Sequence, residues 1–429
     1  VTVEEADADA PPKRHLVIGL SLTATWLKGR SRAGDITANP VSFDVGLSQM
    51  AERAGLDFVF KPDTLSVPPA AQARGMAQLD PTIALTAVAL QTERIGLVTT
   101  VSTSFNPPFV TARQLQSLHW VSNGRAGWNI VTSIEGAENF GQQGMPDPAT
   151  RYRKAVEFTE TVRRLWRSHP APGSADGAEL QPVGHAGEFF QVRGPLNIPE
   201  HPAGEIPLFQ AGASDEGRGF AASVADAIFA ATPDMAAARE LRADLRRRAV
   251  DASRAPDAVR VLPGLYFFIA RTREEAWALH RRAHEHLSRE TRLDKVRAIL
   301  GADLSAMRDD ETVVPAMLPD GDQPVRSRTH ADLLRRYIAQ NQPSLRVLLA
   351  RPEVVGSAHW VSVGTVDDVL ADIIRWFDAE AIDGFIALPG GSTESMRLFF
   401  DELMPKLATR KLFRAAYDST TLRGHLGIV

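Results

Sequence analysis

The sequence predicts an α/β fold, a single (β/α)8 TIM barrel with insertions, and three observations carry that reading. Short apolar runs alternate with stretches of helical period, so a β-α-β-α-β rhythm is in place before residue 101, which favours a parallel sheet. Eight such runs can be counted, and several stop in hydroxyl, amide or carboxylate residues; in parallel α/β folds ligands gather at the carboxyl ends of strands. The length of 429 residues exceeds that of an ordinary domain but suits one elaborated barrel.

His15 to Leu22 is the first strand, with Ser21, Thr23 and Thr25 at its end, and the polar loop from Trp26 to Asn39 carries Arg30 and Arg32. Phe43, Leu47, Met50 and Ala54 recur at helical spacing and Gly55 stops them. Phe58 to Phe60 is the second strand and Lys61-Pro62-Asp63 its polar end. A helix from Asp80 to Thr92 leads to the third strand, Ile95 to Thr100, which breaks into Ser102-Thr103-Ser104. A helix from Pro108 to about Ser122 and the turn Asn123-Gly124 precede the fourth strand, Ala126 to Val131, which Thr132 and Ser133 end.

Ala155, Phe158, Val162 and Leu165 mark an amphipathic helix from Arg151 to Ser168. The Pro/Gly/Ala-rich stretch from Ala171 to Pro182 is loop, and Glu188 to Val192 a hairpin strand outside the barrel. Leu208 to Gly212 is strand five, Asp215 to Val224 its helix, Ala227 to Ala231 strand six and Leu262 to Ala270 strand seven. Between the last two lies a basic helix, Met235 to Arg254, whose arginines read as a solvated face. Thr272 to His359 is long, mostly helical and interrupted by Asp309, Pro315, Pro319 and Gly321, an insertion centred on about 290–360 or a lid. Val366 to Phe377 is the last strong amphipathic helix, Gly384 to Leu388 strand eight, Leu398 to Leu403 part of a closing helix, and Lys411 to Val429 a tail.

Composition excludes several classes. A net charge of −4 argues against a nucleic-acid partner, which needs a basic field. With no cysteine, disulfides, thiolate nucleophiles and thiolate metal sites are excluded. No run approaches membrane-span length, and Val1 to Pro12 is acidic and Ala/Pro-rich, unlike a secretory signal. We expect a cytoplasmic protein with no membrane contact, a frayed arm over residues 1–12, one domain over 13–429, and a homodimer or homotetramer. No histidine or carboxylate spacing suggests a metal, and Gly-x-Ser-x-Gly and Gly-x-Gly-x-x-Gly are absent. His119 reads as a buried packing residue, and His185, His201, His330 and His359 as mostly exposed loop or insertion residues, with a pocket-facing position as the alternative for His359 next to Trp360.

Four polar groups fall at one end of the inferred barrel: Asp63, Ser102 with Thr103, Asn129 with Thr132 and Ser133, and the turn from Gln210 to Ser214. Taken singly, each is a turn former; their convergence points to a small-molecule site. Gln210-Ala-Gly-Ala-Ser-Asp-Glu-Gly-Arg218 has small residues that let a backbone approach a ligand. The helix opening at Asp215 offers N–H groups to a phosphate. An ordinary capped helix, with Ser214 or Asp215 as N-cap, explains the same residues equally well.

Gly124-Arg-Ala-Gly-Trp-Asn-Ile-Val-Thr-Ser133 resembles the signature of the bacterial-luciferase-like flavin monooxygenases, in the branch of nitrilotriacetate monooxygenase, dibenzothiophene-sulfone monooxygenase and pristinamycin synthase. Val363-Gly-Thr365, Asp383-Gly-Phe385, Leu412-Phe-Arg414 and Thr421-Leu-Arg423 also look like family landmarks, so the resemblance runs from about His15 to the carboxyl terminus. It implies reduced FMN (FMNH2) and O2 as co-substrates, a small organic substrate, and a separate NAD(P)H:flavin reductase that delivers the flavin by diffusion. By the same resemblance, Ala213 and Ser214 contact the FMN phosphate, and Asp63, Thr103, Asn129 and Tyr152 contact the flavin. Catalytic residues are not implied. Two positions depart from the pattern: Pro148 stands where relatives have a histidine four residues before the tyrosine, and the first strand lacks their His-rich end. A flavin binder without catalysis and a deazaflavin-dependent oxidoreductase are the alternatives on the same fold.

Overall fold

Buried apolar runs become strands here because neighbouring helices cover their outer faces and one another's side chains fill the inner one. The computed structural model describes residues 15–23, 40–66, 79–173, 179–212, 214–320, 328–356 and 358–428. The amino-terminal arm, the loop with Thr25, Trp26, Arg30 and Arg32, and the residues Ala213 and Gly321 lie outside them.

The first half of the barrel runs β1 (Val17–Ser21), α1 (Pro40–Arg53), β2 (Phe58–Lys61), α2 (Pro81–Ala89), β3 (Gly96–Ser102), α3 (Pro108–Val121), β4 (Ala126–Val131) and α4 (Pro148–Arg167). A two-stranded hairpin follows, β5 (His185–Ala186) with β6 (Gln191–Val192), so Glu188 and Phe189 form its turn. The second half begins with β7 (Leu208–Ala211), α5 (Asp215–Val224), β8 (Ala227–Ala230), α6 (Met235–Asp251) and β9 (Arg260–Ile269). Helices α7 (Arg273–His284), α8 (Arg289–Leu300), α9 (Arg328–Asn341), α10 (Leu345–Leu349) and α11 (Pro352–Val355) form the long excursion. The chain returns through β10 (Trp360–Gly364), α12 (Val366–Asp378), β11 (Gly384–Pro389) and α13 (Thr393–Leu398). A π turn at Phe399–Leu403 joins α13 to α14 (Met404–Thr409), and α15 (Leu422–His425) lies in the tail.

Eight strands close into a parallel barrel in the order β1-β2-β3-β4-β7-β8-β9-β11, with β11 back on β1 from Val17↔Gly384 to Leu20↔Ala387. A ninth strand was not anticipated. β10 pairs with Leu265–Ile269 of β9, beyond the part (Arg260–Pro263) that pairs with β8, while β11 occupies the opposite edge. Its five residues alternate between buried and half-buried, a strand pattern too short to stand out beside the strong helix that follows.

Inside the barrel, Phe58, Phe60, Val98, Phe209, Leu262 and Ile386 pack together. Leu422 of α15 and Leu426 just after it join them from below, Leu422 against Gly96 and Gly127 near the starts of β3 and β4. Leu422 is fully buried, which stabilises the fold by about 1.5–3 kcal/mol. Outside the barrel, Trp128 points into the helical layer and packs on Phe158 and Trp166. Helices α8 to α11 share a separate apolar cluster that includes Leu293, Val296, Leu334, Ile338, Leu348 and Val354. No helix among the described residues is long and apolar enough to cross a membrane.

Candidate functional site at the barrel mouth

Because every barrel pairing is parallel, all strand carboxyl ends open onto one face. On the β3-β4-β7 side that face is polar. Asn129, 2% exposed, donates Nδ2 to the Thr100 hydroxyl at 3.0 Å, and its buried Oδ1 has no hydrogen-bond partner. Buried acceptors left this way cost free energy, so Asn129 Oδ1 marks a place where a donor is wanted. Beside it, the Ser102 and Ser133 hydroxyls lie 2.7 Å apart. Thr103 is fully buried and donates both its N–H, at 2.9 Å, and its hydroxyl, at 3.2 Å, to the Val131 carbonyl. Its side chain therefore braces the loop.

The β7–α5 turn meets α4 here. Asp147 caps α4 by accepting the Thr150 N–H at 3.0 Å, with Pro148 at the first helical position. Proline is favoured there because its fixed φ suits a helix start and its missing N–H costs nothing. The departure at position 148 is thus a well-formed helix start. One turn on, the Tyr152 hydroxyl shares hydrogen bonds with the side-chain hydroxyls of Ser214 and Thr132, and burial holds its pKa above the ordinary value. Ser214 is the N-cap of α5, its Oγ accepting the Gly217 N–H at 3.2 Å. A Cβ on Gly217 would sit 2.8 Å from the Tyr152 hydroxyl and 3.0 Å from the Gly212 carbonyl. The missing side chain at 217 thus lets the Tyr152 hydroxyl pack against the helix start. Asp215 turns away to pair with Arg248 on α6, so its carboxylate does not face the turn.

Arg151, which sequence reasoning passed over, donates Nη1 to the Ser133 carbonyl, while its buried Nε has no partner. It ties the end of β4 to the start of α4. Asp63 is half-buried in the loop after β2; its Oδ1 accepts the Thr64 N–H at 2.9 Å, and burial raises its pKa. Of the six residues singled out, Thr103, Asn129, Tyr152 and Ser214 come together at the β3-β4-β7 ends. Asp63 lies on the neighbouring loop and Ala213 outside the described residues.

The other side of the mouth is a cavity of about 420 Å³. Strand ends supply Ser21, Thr23, Phe60, Phe229, Tyr266 and Leu388, and the long helical excursion covers them with His284, His286, Lys295 and His359. His359 is therefore not a simple exposed residue: its ring stacks on Phe229 with centroids 5.3 Å apart and settles over Gly264 of β9. A Cβ at 264 would lie 2.5 Å from the ring, so the strand leaves room for it. A glycine inside a strand signals such a close approach, and Gly264 was the clue available in the sequence. His201 also departs from expectation, being 6% exposed and packed edge-on against His119 and Trp120. His119 is fully buried as expected, and burial pushes its pKa down to about 3. The described residues contain no group of side chains suited to a metal ion.

A closed parallel barrel with hydroxyls, a buried amide and a glycine-lined helix start converging at its carboxyl face is the frame of a barrel enzyme acting on small molecules. Comparison with known proteins makes the class specific. Residues 23–380 match the model of the luciferase-like monooxygenases, and the chain belongs to that family; it is an oxidoreductase of the monooxygenase type. It is 34% identical over 395 residues to N-acetyl-S-(2-succino)cysteine monooxygenase of Bacillus subtilis (strain 168), covering 89% of this chain and 88% of that one. Among solved structures, EDTA monooxygenase from Chelativorans sp. BNC1 superposes with a TM-score of 0.79 at 28% identity, over 97% of this chain and 99% of the other. A riboflavin lyase solved with modified FMN and riboflavin gives a TM-score of 0.81 at 27% identity, over 96% of both chains.

Proposed function

We infer that this protein is an FMN-dependent monooxygenase that receives reduced flavin from a separate NAD(P)H:flavin reductase and inserts one oxygen atom of O2 into a small organic substrate. The observation that carries the cofactor is the unsatisfied buried acceptor, Asn129 Oδ1, at the same barrel end as the start of α5, which Ser214 caps. A flavin offers a ring N–H donor and a phosphate, and these two features suit one each. The relative solved with modified FMN supports the same cofactor.

Reduced FMN, when bound, supplies the two electrons that let O2 deliver one atom to the substrate and release the other as water. The chain's own groups do the rest. Backbone N–H groups at the start of α5 and the Ser214 and Tyr152 hydroxyls would hold the phosphate. Asn129, its amide oriented by Thr100, would hold the ring edge. Asp63, on the β2 loop with a pKa that burial raises, would contact the flavin there. Phe60, Phe229 and Leu388, with the insertion over them, exclude water from the substrate side.

Oxygen-dependent loss of substrate should require supplied FMNH2. Turnover under strict anaerobiosis without flavin overturns this reading.

A further inference from the structure

The start of α5 is poor in positive charge. Asp215 and Glu216 occupy its first turn. Of the arginines around that turn, Arg218 is held by Glu240 and Asp244, and Arg248 by Asp215 and Asp244. Arg151 is different. It makes no ion pair among the described residues: its Nη1 donates to the Ser133 carbonyl and its buried Nε has no partner. It is half-buried, and that burial lowers its pKa, while Tyr152, Asp147 and Glu216 act the other way.

Arg151 and Tyr152 stand side by side near the start of α4 and grip consecutive residues at the end of β4. Tyr152 bonds Thr132 and Ser214, and Arg151 bonds Ser133. A guanidinium keeps its charge at any ordinary pH, and a partly desolvated cation with no counter-charge costs free energy. A phosphate monoester carries about −1.5 to −2 charges at pH 7. Backbone N–H groups and hydroxyls are neutral donors and cannot balance that charge, least of all beside an acidic first turn.

We propose that Arg151 is the counter-charge of the flavin phosphate, and that it makes the site select a phosphorylated flavin over an unphosphorylated one. The proposal rests on the FMN reading given above and adds a binding residue to it. The cost of the lone cation in the empty site is recovered when the phosphate arrives, and the planar guanidinium suits phosphate oxygens.

The test is an anaerobic titration of the full chain with reduced FMN and with reduced riboflavin, at low and high salt. The wild-type chain should prefer FMN, and salt should shrink that preference because one of its sources is a charge pair at a partly exposed site. Arg151→Gln should weaken FMN by about tenfold to a hundredfold, the worth of one charge-assisted hydrogen bond. Riboflavin should be almost unchanged, which also reports that the variant is folded. What preference remains in Arg151→Gln should no longer respond to salt. Ser214→Ala, which removes a neutral donor, should weaken FMN and keep the salt response. Arg151→Lys retains the charge and should recover most of the lost affinity.

Arg151 also braces the end of β4, and bracing alone predicts another result: FMN and riboflavin weakened together, with Arg151→Lys no better than Arg151→Gln. That result overturns the proposal. So does a wild-type chain that binds both flavins equally, or an Arg151→Gln chain whose preference for FMN and salt response are intact; in either case the flavin reading still stands. If neither reduced flavin binds the wild-type chain, the flavin reading fails and this proposal falls with it.

Discussion

The two sides of the barrel mouth are built by opposite means. At the ends of β3, β4 and β7 the site is made of short side chains fixed by their own backbone: Thr103 on the Val131 carbonyl, Ser104 on the Thr132 carbonyl at 2.6 Å, and Ser214 on the Gly217 N–H. Across the mouth, large rings and long cations reach in from residues up to about a hundred positions away in the chain, as His359 does over Gly264. The first side recognises through local geometry that tolerates little change. The second recognises through bulk and charge carried by a separate set of helices, and can vary without disturbing the barrel. A common cofactor suits the first arrangement and a family-variable substrate the second.

The largest effect should come from the first side. Removing the Ser214 hydroxyl with Ser214→Ala should cost about 1.5–3 kcal/mol of FMN affinity, roughly tenfold to a hundredfold, and leave riboflavin almost unchanged. Equal losses for both flavins would show that the phosphate is held elsewhere.

Gly264→Ala probes the second side. Its Cβ would lie 2.5 Å from the His359 ring and 2.8 Å from Leu388, an overpacking that should cost about 1–3 kcal/mol in thermal or urea unfolding. Turnover should fall while FMN titrates as in wild type; a parallel fall in FMN affinity would mean the two sides are not separable. A smaller effect is expected for Tyr152→Phe, which removes a hydroxyl shared with Ser214 and Thr132. About 0.5–1.5 kcal/mol of FMN affinity should go, and an additive double variant with Ser214→Ala would break the inferred coupling.

The smallest signal is a slope in pH. Burial, helped by His284, Arg292 and Arg281, lowers the His280 pKa to about 4 from 6.5. Between those values the unfolded chain binds the extra proton and the folded chain does not. Stability should therefore fall as pH drops from 6.5 towards 4. His280→Phe should flatten that slope on the insertion side, without changing the pH dependence of FMN binding on the other.

How much could be read in advance follows the same division. The eight barrel strands and the α5 turn are legible because each is a contiguous run with its own stop: Asn123-Gly124 before β4, Asp80 at the start of α2, Ser214 before α5. Thr103, Asn129 and Ser214 could be named because strand ends bring them together by rule. The β10 strand and the burial of His201 were not legible, and the placement of His359 only as an alternative. Each depends on a partner far along the chain: β9 for β10, His119 for His201, and Gly264 for His359. Hydropathy and spacing report a residue's neighbours in sequence. They are silent on which distant surface will cover it.

The apolar cluster that α8 to α11 share among themselves has an evolutionary consequence. Their packing is settled within the cluster, so the residues they present to the mouth can drift without a compensating change in the barrel. A stretch with its own core, anchored by β10 to a single strand, is a cassette. Grafting the residues between β9 and β10 from a relative should move substrate preference with it and leave the cofactor machinery in place, the kind of inheritance by which one scaffold comes to serve many reactions.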